Sequence, residues 1–238
     1  MFSLSGTQQL KLNDGSNINY ELIKKNRRTI SLKITPKGLV VCAPILMTKY
    51  KINQLLQKKS KWIQKKLLLT SYNEEPFEIQ NRVKFKILNK ELEITLREGE
   101  NNISIEGSRC TIHFNNLSDH LKLNKIFKLW IKNYALNYFT RRIKVLSREN
   151  NLKVSAILIS NARTRWGTCN SRKEIRLNWR LIQAPAFIID YVICHELSHL
   201  KFMNHSSDFW QQVQLLFPNY KEAELYLKEN GFKLYRMD

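Results

Sequence analysis

Residues 194–210 read CHELSHLKFMNHSSDFW, and this stretch gives the strongest indication of fold and chemistry in the chain. His195 and His199 are four residues apart, with Glu196 between them. On a helix, residues four apart lie on one face with about 5–6 Å between their Cβ atoms, so both imidazoles can reach one metal ion. Zinc accepts histidine nitrogen in a tetrahedral arrangement, and a glutamate one step round the helix can take a proton from bound water. The spacing therefore predicts a metal-binding helix that also carries a base.

The third metal ligand has two kinds of candidate. His205 lies ten residues after the first histidine of the helix, which is the spacing of the longer pattern His-Glu-x-x-His-x-x-Gly-x-x-His. That pattern has a glycine where this chain has Phe202, so we expect Asn204, which tolerates left-handed geometry, to make the turn. The spacing favours His205, and the rival ligands are two glutamates of a later helix, Glu222 and Glu224.

The N-terminal half has the alternating pattern of strands. Residues 29–44 alternate apolar and polar, break at Pro36-Lys37-Gly38 and then resume, which predicts a hairpin. From Thr48 the apolar period becomes that of a helix, with Thr48 as its cap. Four short alternating runs follow within residues 82–114, and they indicate a meander.

The C-terminal half alternates helices and strands. Residues 118–150 have a helical pattern, short strands follow, and Pro185 opens the apolar helix that contains the histidines. The whole order predicts an α+β fold whose N-terminal half is rich in strands. We place the boundary between two regions near residue 117, giving residues 1–117 and residues 118–238.

The net charge of +20 is concentrated away from the histidines. Residues 1–150 hold 28 Lys and Arg against 12 Asp and Glu, a net charge of +16, whereas residues 151–238 have a net charge of only +4. Basic clusters lie at residues 24–28 and on the helix that follows Thr48, where Trp62 stands among lysines. Such a charge suits either a solvated lysine-rich surface or a surface that binds nucleic acid or another polyanion.

Other features bear on the cellular compartment. The chain has no run of about 18 apolar residues, so we expect no membrane span, and its first residues lack a secretory pattern. The four cysteines show no Cys-x-x-Cys spacing. We therefore expect a cytoplasmic protein with reduced thiols.

Residues 161–210 resemble the core of the YgjP-like metal-dependent hydrolases, which are zincin-fold proteins related to the SprT-like and WLM metallopeptidases. The family's Arg-Trp-Gly-Ser-Cys segment corresponds to Arg165–Cys169, with Thr168 in the serine position. The other matching motifs are Asn178-Trp179, Asp190–Val192, His195–His199, His205 and Phe209-Trp210. The resemblance extends to the N-terminal hairpin and helix, so it covers most of the chain.

The resemblance implies a zincin-like metallopeptidase domain with an active-site His-Glu-x-x-His helix. It implies one Zn²⁺ per chain held by His195, His199 and His205, and Glu196 as the catalytic residue. Such an enzyme cleaves peptide bonds by Glu-assisted attack of zinc-bound water. The alternative function is a polyanion-binding or nucleic-acid-binding protein, either a protease recruited to nucleic acid or a protein whose zinc site is secondary.

Three further polar residues each have a functional and a structural interpretation. Arg163 and Arg165 can stabilise an oxyanion or hold a substrate carboxylate, or they can form surface ion pairs. Asp190, five residues before His195, can be a hydrogen-bonding partner of a metal ligand or part of a local ion pair.

Overall fold

The computed structural model shows a mixed α+β chain made of two compact units, Met1–Pro76 and Phe77–Asp238. The residues that the structure describes are 4–35, 38–71 and 77–237. Among these residues, no helix is both long enough and apolar enough to cross a membrane. The α+β class predicted from the sequence is therefore confirmed at the level of sheets and helices.

The first unit is a four-stranded sheet followed by two helices. Its elements are β1 (Leu4–Lys11), β2 (Asn17–Lys25), β3 (Ser31–Thr35), β4 (Gly38–Pro44), α1 (Lys49–Lys58) and α2 (Ser60–Ser71). The strand order is β1-β2-β4-β3, in which the central pair β2–β4 is parallel and the outer pairs are antiparallel.

The hairpin and the helix cap predicted in this unit are both present. β3 pairs antiparallel with β4, and Thr35 lies opposite Gly38, whereas Pro36 and Lys37 of the predicted turn lie outside the described residues. Gly38 has a φ of 111°, in the region that glycine adopts without steric cost. The Thr48 side chain accepts a hydrogen bond from the N–H three residues later, as expected of a helix cap.

The second unit begins with another four-stranded sheet, formed by β5 (Lys84–Ile87), β6 (Lys90–Glu98), β7 (Asn102–Glu106) and β8 (Arg109–Phe114). Its order is β5-β6-β8-β7, the same order as in the first unit. The predicted meander is wrong, because two hairpins meet through the parallel pair β6–β8. Cys110, Ile112 and Phe114 of β8 are all buried, so β8 occupies the interior, and the less buried β7 forms the edge.

The remainder of the second unit builds the region around the histidines. Its elements are α3 (His120–Glu149), β9 (Ala156–Ser160), β10 (Gly167–Cys169), β11 (Glu174–Asn178), α4 (Ala186–Ser198), α5 (Ser207–Leu216) and α6 (Tyr220–Asn230), with 3-10 helices at Trp179–Gln183 and Gly231–Met237. The strand order is β10-β11-β9, and β10 pairs antiparallel with β11. β10 is therefore an edge strand.

The boundary between the units lies before the second sheet and not near residue 117. Phe85 of β5 and Ile112 of β8 belong to the same buried cluster as Phe127 of α3 and Ile189 of α4. Since the strands complete the core on which the helices pack, they belong to the C-terminal unit. The predicted region 118–238 is thus only part of a compact unit that begins at Phe77.

Candidate metal centre

The two histidines of the helical motif lie at the C-terminal end of α4. His195 is on the last turn, and His199 caps the helix, with the two ring centroids 5.2 Å apart. α4 is apolar and mostly buried after its first turn, with Ile189 and Ile193 fully enclosed. Packing along the whole helix therefore holds its last turn, and both imidazoles, in a fixed position.

His205 reaches the same place because the chain turns back sharply after α4. The N–H of Phe202 donates to the carbonyl of Ser198 at 3.0 Å, which closes a turn directly behind the helix. The expectation that Asn204 makes this turn is wrong, since the described non-glycine residues with positive φ lie elsewhere. A turn with ordinary helical hydrogen bonds needs no glycine, which explains why Phe202 is tolerated.

The ring nitrogens of the three histidines converge. His205 Nε2 lies 3.2 Å from His195 Nε2. One candidate ligand atom from each histidine lies within 4.8 Å of the other two. The buried ring of Phe209 packs against all three imidazoles, with centroid distances of 4.9 Å to His195, 4.5 Å to His199 and 4.7 Å to His205. A fixed apolar wall therefore orients the cluster.

Neither rival glutamate joins this cluster. Glu222 and Glu224 are both exposed on α6, and within the described residues the metal-ligating group consists of the three histidines alone. Glu224 is associated with Tyr191 instead: burial and, after it, the charge of Glu224 raise the pKa of the Tyr191 hydroxyl. His205 is thus the third candidate that the fold brings to the helix.

The donor set fits a zinc ion. Two nitrogens bound to one tetrahedral zinc at about 2.0–2.1 Å lie about 3.3 Å apart, close to the observed 3.2 Å between His195 and His205. His199 Nδ1 is 3.0 Å from the carbonyl of Phe202, which only accepts, so Nδ1 carries the proton and Nε2 keeps its lone pair. Burial lowers the pKa of His195 to about 4 and lowers that of His199, and both therefore take the neutral form that binds metal.

Glu196 is enclosed beside the histidines. Its side chain is only 4% exposed, and within the described part of the chain Oε2 has no hydrogen-bond partner. Burial raises the pKa of Glu196 to about 8. A buried polar atom without a partner is costly in a fold, so this carboxyl group is arranged for something other than stability.

Gly167 of β10 makes room for that carboxylate. A Cβ on Gly167 would lie 2.7 Å from Cγ and 2.8 Å from Cδ of Glu196, and closer still to Oε1. Real Cβ atoms do not approach other atoms so closely, so only glycine allows this packing. β10 and α4 therefore hold Glu196 between them.

The histidines and Glu196 open onto a cleft of about 710 Å³. β10 forms one side of the cleft and α4 another, while Met203 and Leu227 contribute apolar surface. At the two ends of β10, the carbonyl of Trp166 accepts a hydrogen bond from the N–H of Asn178, and the N–H of Asn170 donates to the carbonyl of Glu174, both on β11. Because hydrogen bonding alternates along an antiparallel strand, the backbone groups of Gly167 and Cys169 point to the open edge.

The two arginines proposed from the sequence occupy different positions. Arg165 is exposed and lines the cleft, whereas Arg163 is exposed but does not line it. Cys169 also lines the cleft, and burial, followed by the charge of Glu196, raises the pKa of its thiol to about 11. Cys169 is therefore a protonated thiol near neutral pH.

Asp190 faces away from the histidines. Both of its carboxylate oxygens accept hydrogen bonds from Arg142 of α3, each at 2.8 Å. Of the two interpretations of Asp190, the structure therefore has the local ion pair and not the hydrogen bond to a metal ligand. This pair fastens α4 to α3 from the side opposite the cleft.

The sequence does not predict two contacts that shape the site. It indicates that Gly167 shapes a turn near the cleft, because glycine allows close backbone approach, but not that Gly167 contacts Glu196. It also indicates that Phe209 is a core residue, but not that its ring packs against the histidines. The usable signal is the position of Phe209, which is four residues after His205 and in the first turn of α5, where an apolar side chain can pack against the chain that precedes the helix. The contact of Gly167 with Glu196 joins residues 29 positions apart and has no local signal.

Comparison with known proteins identifies a metallopeptidase family. The family model of the YgjP-like metallopeptidase domain matches residues 28–230. The chain is also similar to a solved structure, the metallopeptidase zymogen of Methanocaldococcus jannaschii jannalysin, with 19% identity and a TM-score of 0.35 over 39% of this chain and 95% of that chain. Similarity at that level adds nothing to the family match. No curated protein sequence matches the chain.

Proposed function

The chain belongs to the YgjP-like metallopeptidase family, and from that premise we propose that it is a zinc-dependent peptidase with a zincin-like active site. The observation that carries the proposal is the convergence of His195, His199 and His205 beside the enclosed carboxyl group of Glu196. Structural zinc sites usually have four protein ligands, whereas catalytic sites have three and an open position. Three histidines that face a cleft support the catalytic kind.

In this proposal the three histidines hold one zinc ion per chain through ring nitrogens. When bound, the ion supplies a Lewis acid that polarises a substrate carbonyl and lowers the pKa of water toward about 7. The Nδ1–H of His199 stays bonded to the carbonyl of Phe202, which keeps that ring oriented.

Glu196 is the proposed general base and acid. Its carboxylate takes a proton from water in the cleft and later gives it to the leaving amine. Burial makes this carboxyl group a stronger base than an exposed glutamate, since it raises its pKa to about 8. A cation at the histidines opposes that shift, because nearby positive charge favours the carboxylate form. The two effects together suit proton transfer near neutral pH.

The substrate we infer is an extended peptide that adds to β10. The open-edge backbone groups of Gly167 and Cys169 can pair with a peptide strand, as in other cases of β-strand addition. Gly167 also touches Glu196, so a peptide on this edge passes directly beside the proposed base. Arg165 lines the same cleft, and we propose that its guanidinium holds a substrate carboxylate or a developing oxyanion.

Glu196→Gln tests the proposal. The variant should keep its zinc and its thermal unfolding profile, while peptide cleavage falls by about 10²–10⁴-fold, as expected on loss of a general base. Glu222→Gln, an exposed glutamate of α6, is the matched control and should retain full activity. Cleavage can be measured by mass spectrometry on a mixture of synthetic peptides. Glu196→Gln protein with undiminished turnover would sink the proposed role.

A further inference from the structure

The first unit carries a dense positive charge of its own. Residues 1–76 contain 14 Lys and Arg against 4 Asp and Glu, a net charge of +10 in a third of the chain. Most of its basic residues fall into two groups, one near residue 25 and one on α1 and α2, which differ in how many hydrogen bonds they make within the fold. Lys24 donates to the carbonyl of Met47 at 2.9 Å and Arg27 to the hydroxyl of Ser31 at 2.9 Å, so the group near residue 25 is used partly within the fold.

The second group lies on α1 and α2. Lys51, Lys58 and Lys61 are exposed, and among the described residues none of them takes part in an ion pair. Lys65 is on α2, but its side chain lies outside the described part of the structure. Three lysines therefore present uncompensated charge along neighbouring helices.

These lysines share one side of the helices with Trp62. Lys51, Lys58 and Trp62 are separated by seven and four residues, which places them along one helical face. Helical hydrogen bonds continue across the junction between α1 and α2. The N–H of Lys59 donates to the carbonyl of Leu55, and the carbonyl of Lys59 accepts from the N–H of Ile63. Lys61 borders the same face. We call Lys51, Lys58, Lys61 and Trp62 the basic face.

The other sides of the helices are occupied. Ile52, Leu56 and Ile63 are completely buried in the core of the first unit. Gln57 bonds the carbonyl of Lys11 at 2.8 Å and Gln64 the carboxylate of Asp14 at 2.9 Å, which fastens a second side to the β1–β2 connection. The basic face belongs to the remaining side, which is exposed to solvent and also includes Tyr50, Gln54 and Lys59.

Trp62 on this face is not part of the core. Its side chain is 42% exposed, and it does not belong to the buried cluster of the first unit or to the residues packed against that cluster. An indole left half in water between lysines costs apolar exposure that a polar residue would avoid. Its ring offers a flat surface at the centre of the positive charge.

We propose that the basic face binds single-stranded nucleic acid, with lysine ammonium groups on the phosphates and an unpaired base stacked on Trp62. Proteins that bind single strands combine these two elements, because every base presents a π-face that an aromatic ring can cover. A duplex keeps its bases stacked inside and leaves the indole without a partner. An anionic membrane suits a helix whose apolar side is free, whereas here Ile52, Leu56 and Ile63 are buried.

The charge on the face sets the expected salt dependence. Three phosphate contacts, at about −0.7 each on a single strand, give a slope of about −2 in a plot of log K against log salt. Affinity should then fall about 20-fold between 50 and 200 mM salt.

The test uses the 238-residue chain and a fluorescein-labelled 16-nucleotide oligothymidylate, with fluorescence anisotropy measured from 50 to 300 mM salt. Lys58→Glu with Lys61→Glu should weaken binding at least tenfold. The matched control is Lys122→Glu with Lys125→Glu on exposed positions of α3, which makes the same change in net charge and should weaken binding less than threefold. Trp62→Leu should weaken single-strand binding about fivefold or more while leaving binding of a 16-base-pair duplex unchanged. Thermal unfolding of each variant confirms that the fold is kept.

Several outcomes would overturn the proposal. No binding at 50 mM salt, or equal losses in the two charge-reversal variants, would leave only a solvated surface on a basic protein. Duplex binding that is as tight as single-strand binding and insensitive to Trp62→Leu would contradict the proposal that a base stacks on Trp62. Competition by phosphatidylserine vesicles that depends on the exposed Leu46 would point to a membrane surface instead.

Discussion

Gly167→Ala should displace the carboxylate of Glu196 without removing it, and so test how much the rate of peptide cleavage depends on its position. The φ of Gly167 is not in the positive range, so alanine fits the backbone of β10, and the conflict lies between the new methyl group and Glu196. The methyl carbon would be 2.7 Å from Cγ of Glu196, while ordinary van der Waals contact begins at 3.4 Å. The carboxylate must therefore retreat by roughly 0.7 Å or more, or β10 must move away by the same distance.

The size of the effect follows from that displacement. A misplacement of about 1 Å can cost about 10²-fold in rate, so we expect kcat to fall by roughly 30- to 100-fold. Overpacking costs about 1–3 kcal/mol of stability, which leaves the second unit folded. The three atoms nearest to the new methyl group all belong to Glu196, so we expect zinc content not to change.

The assay is a double-substitution cycle with Glu196→Gln. Peptide cleavage and bound zinc are measured for the unchanged protein, for Gly167→Ala, for Glu196→Gln and for the combination. If Gly167 acts through Glu196, Gly167→Ala should have little further effect once Glu196 is a glutamine. An equal loss of rate in both backgrounds, or a loss of zinc in Gly167→Ala, would refute this reasoning.

Three other substitutions have defined outcomes. His205→Ala should lose zinc on dialysis while Glu222→Gln retains it, as measured by elemental analysis; zinc retained by His205→Ala would show that the third ligand lies elsewhere. Burial raises the folded-state pKa of Glu196 from 4.5 to about 8, so in metal-free protein its contribution to stability is complete below pH 4.5 and is lost as pH rises toward 8. As pH rises from 4.5 to 8.5, the free energy of unfolding of metal-free Glu196→Gln should therefore increase by on the order of 3–5 kcal/mol relative to that of the unchanged metal-free protein, as measured by urea unfolding. Equal pH profiles for the two proteins would contradict the burial effect. Asp190→Asn should cost about 1–3 kcal/mol in the free energy of unfolding without changing kcat, because Arg142 loses a partner on the side of α4 away from the cleft; a fall in kcat at unchanged stability would place Asp190 in the catalytic machinery after all.

Features that depend on local geometry were predictable from the sequence. His195 and His199 meet because residues four apart share a helix face, whatever the rest of the fold does. Thr48 caps α1 and Thr35 pairs with Gly38 for equally local reasons. Each of these depends on a few neighbouring residues, and each is present in the structure.

Features that depend on distant pairing were not predictable in the same way. Four alternating runs fit a meander and the observed β5-β6-β8-β7 order equally well, because alternation reports which face is buried and not which strand is adjacent. The boundary at Phe77 follows from a core shared between Phe85 and α3, which no composition shift marks. The room that Gly167 leaves for Glu196 likewise exists only once β10 and α4 are packed together.

The most direct test of the central claim is peptide cleavage measured before and after removal of the metal. Chelation and dialysis should abolish cleavage, and one equivalent of Zn²⁺ per chain should restore it, with half-restoration at half an equivalent. The same titration of His195→Ala protein, which lacks one of the converging nitrogens, should restore nothing. Cleavage that persists in fully metal-free protein, or that returns in His195→Ala, would contradict a peptidase built on the three histidines.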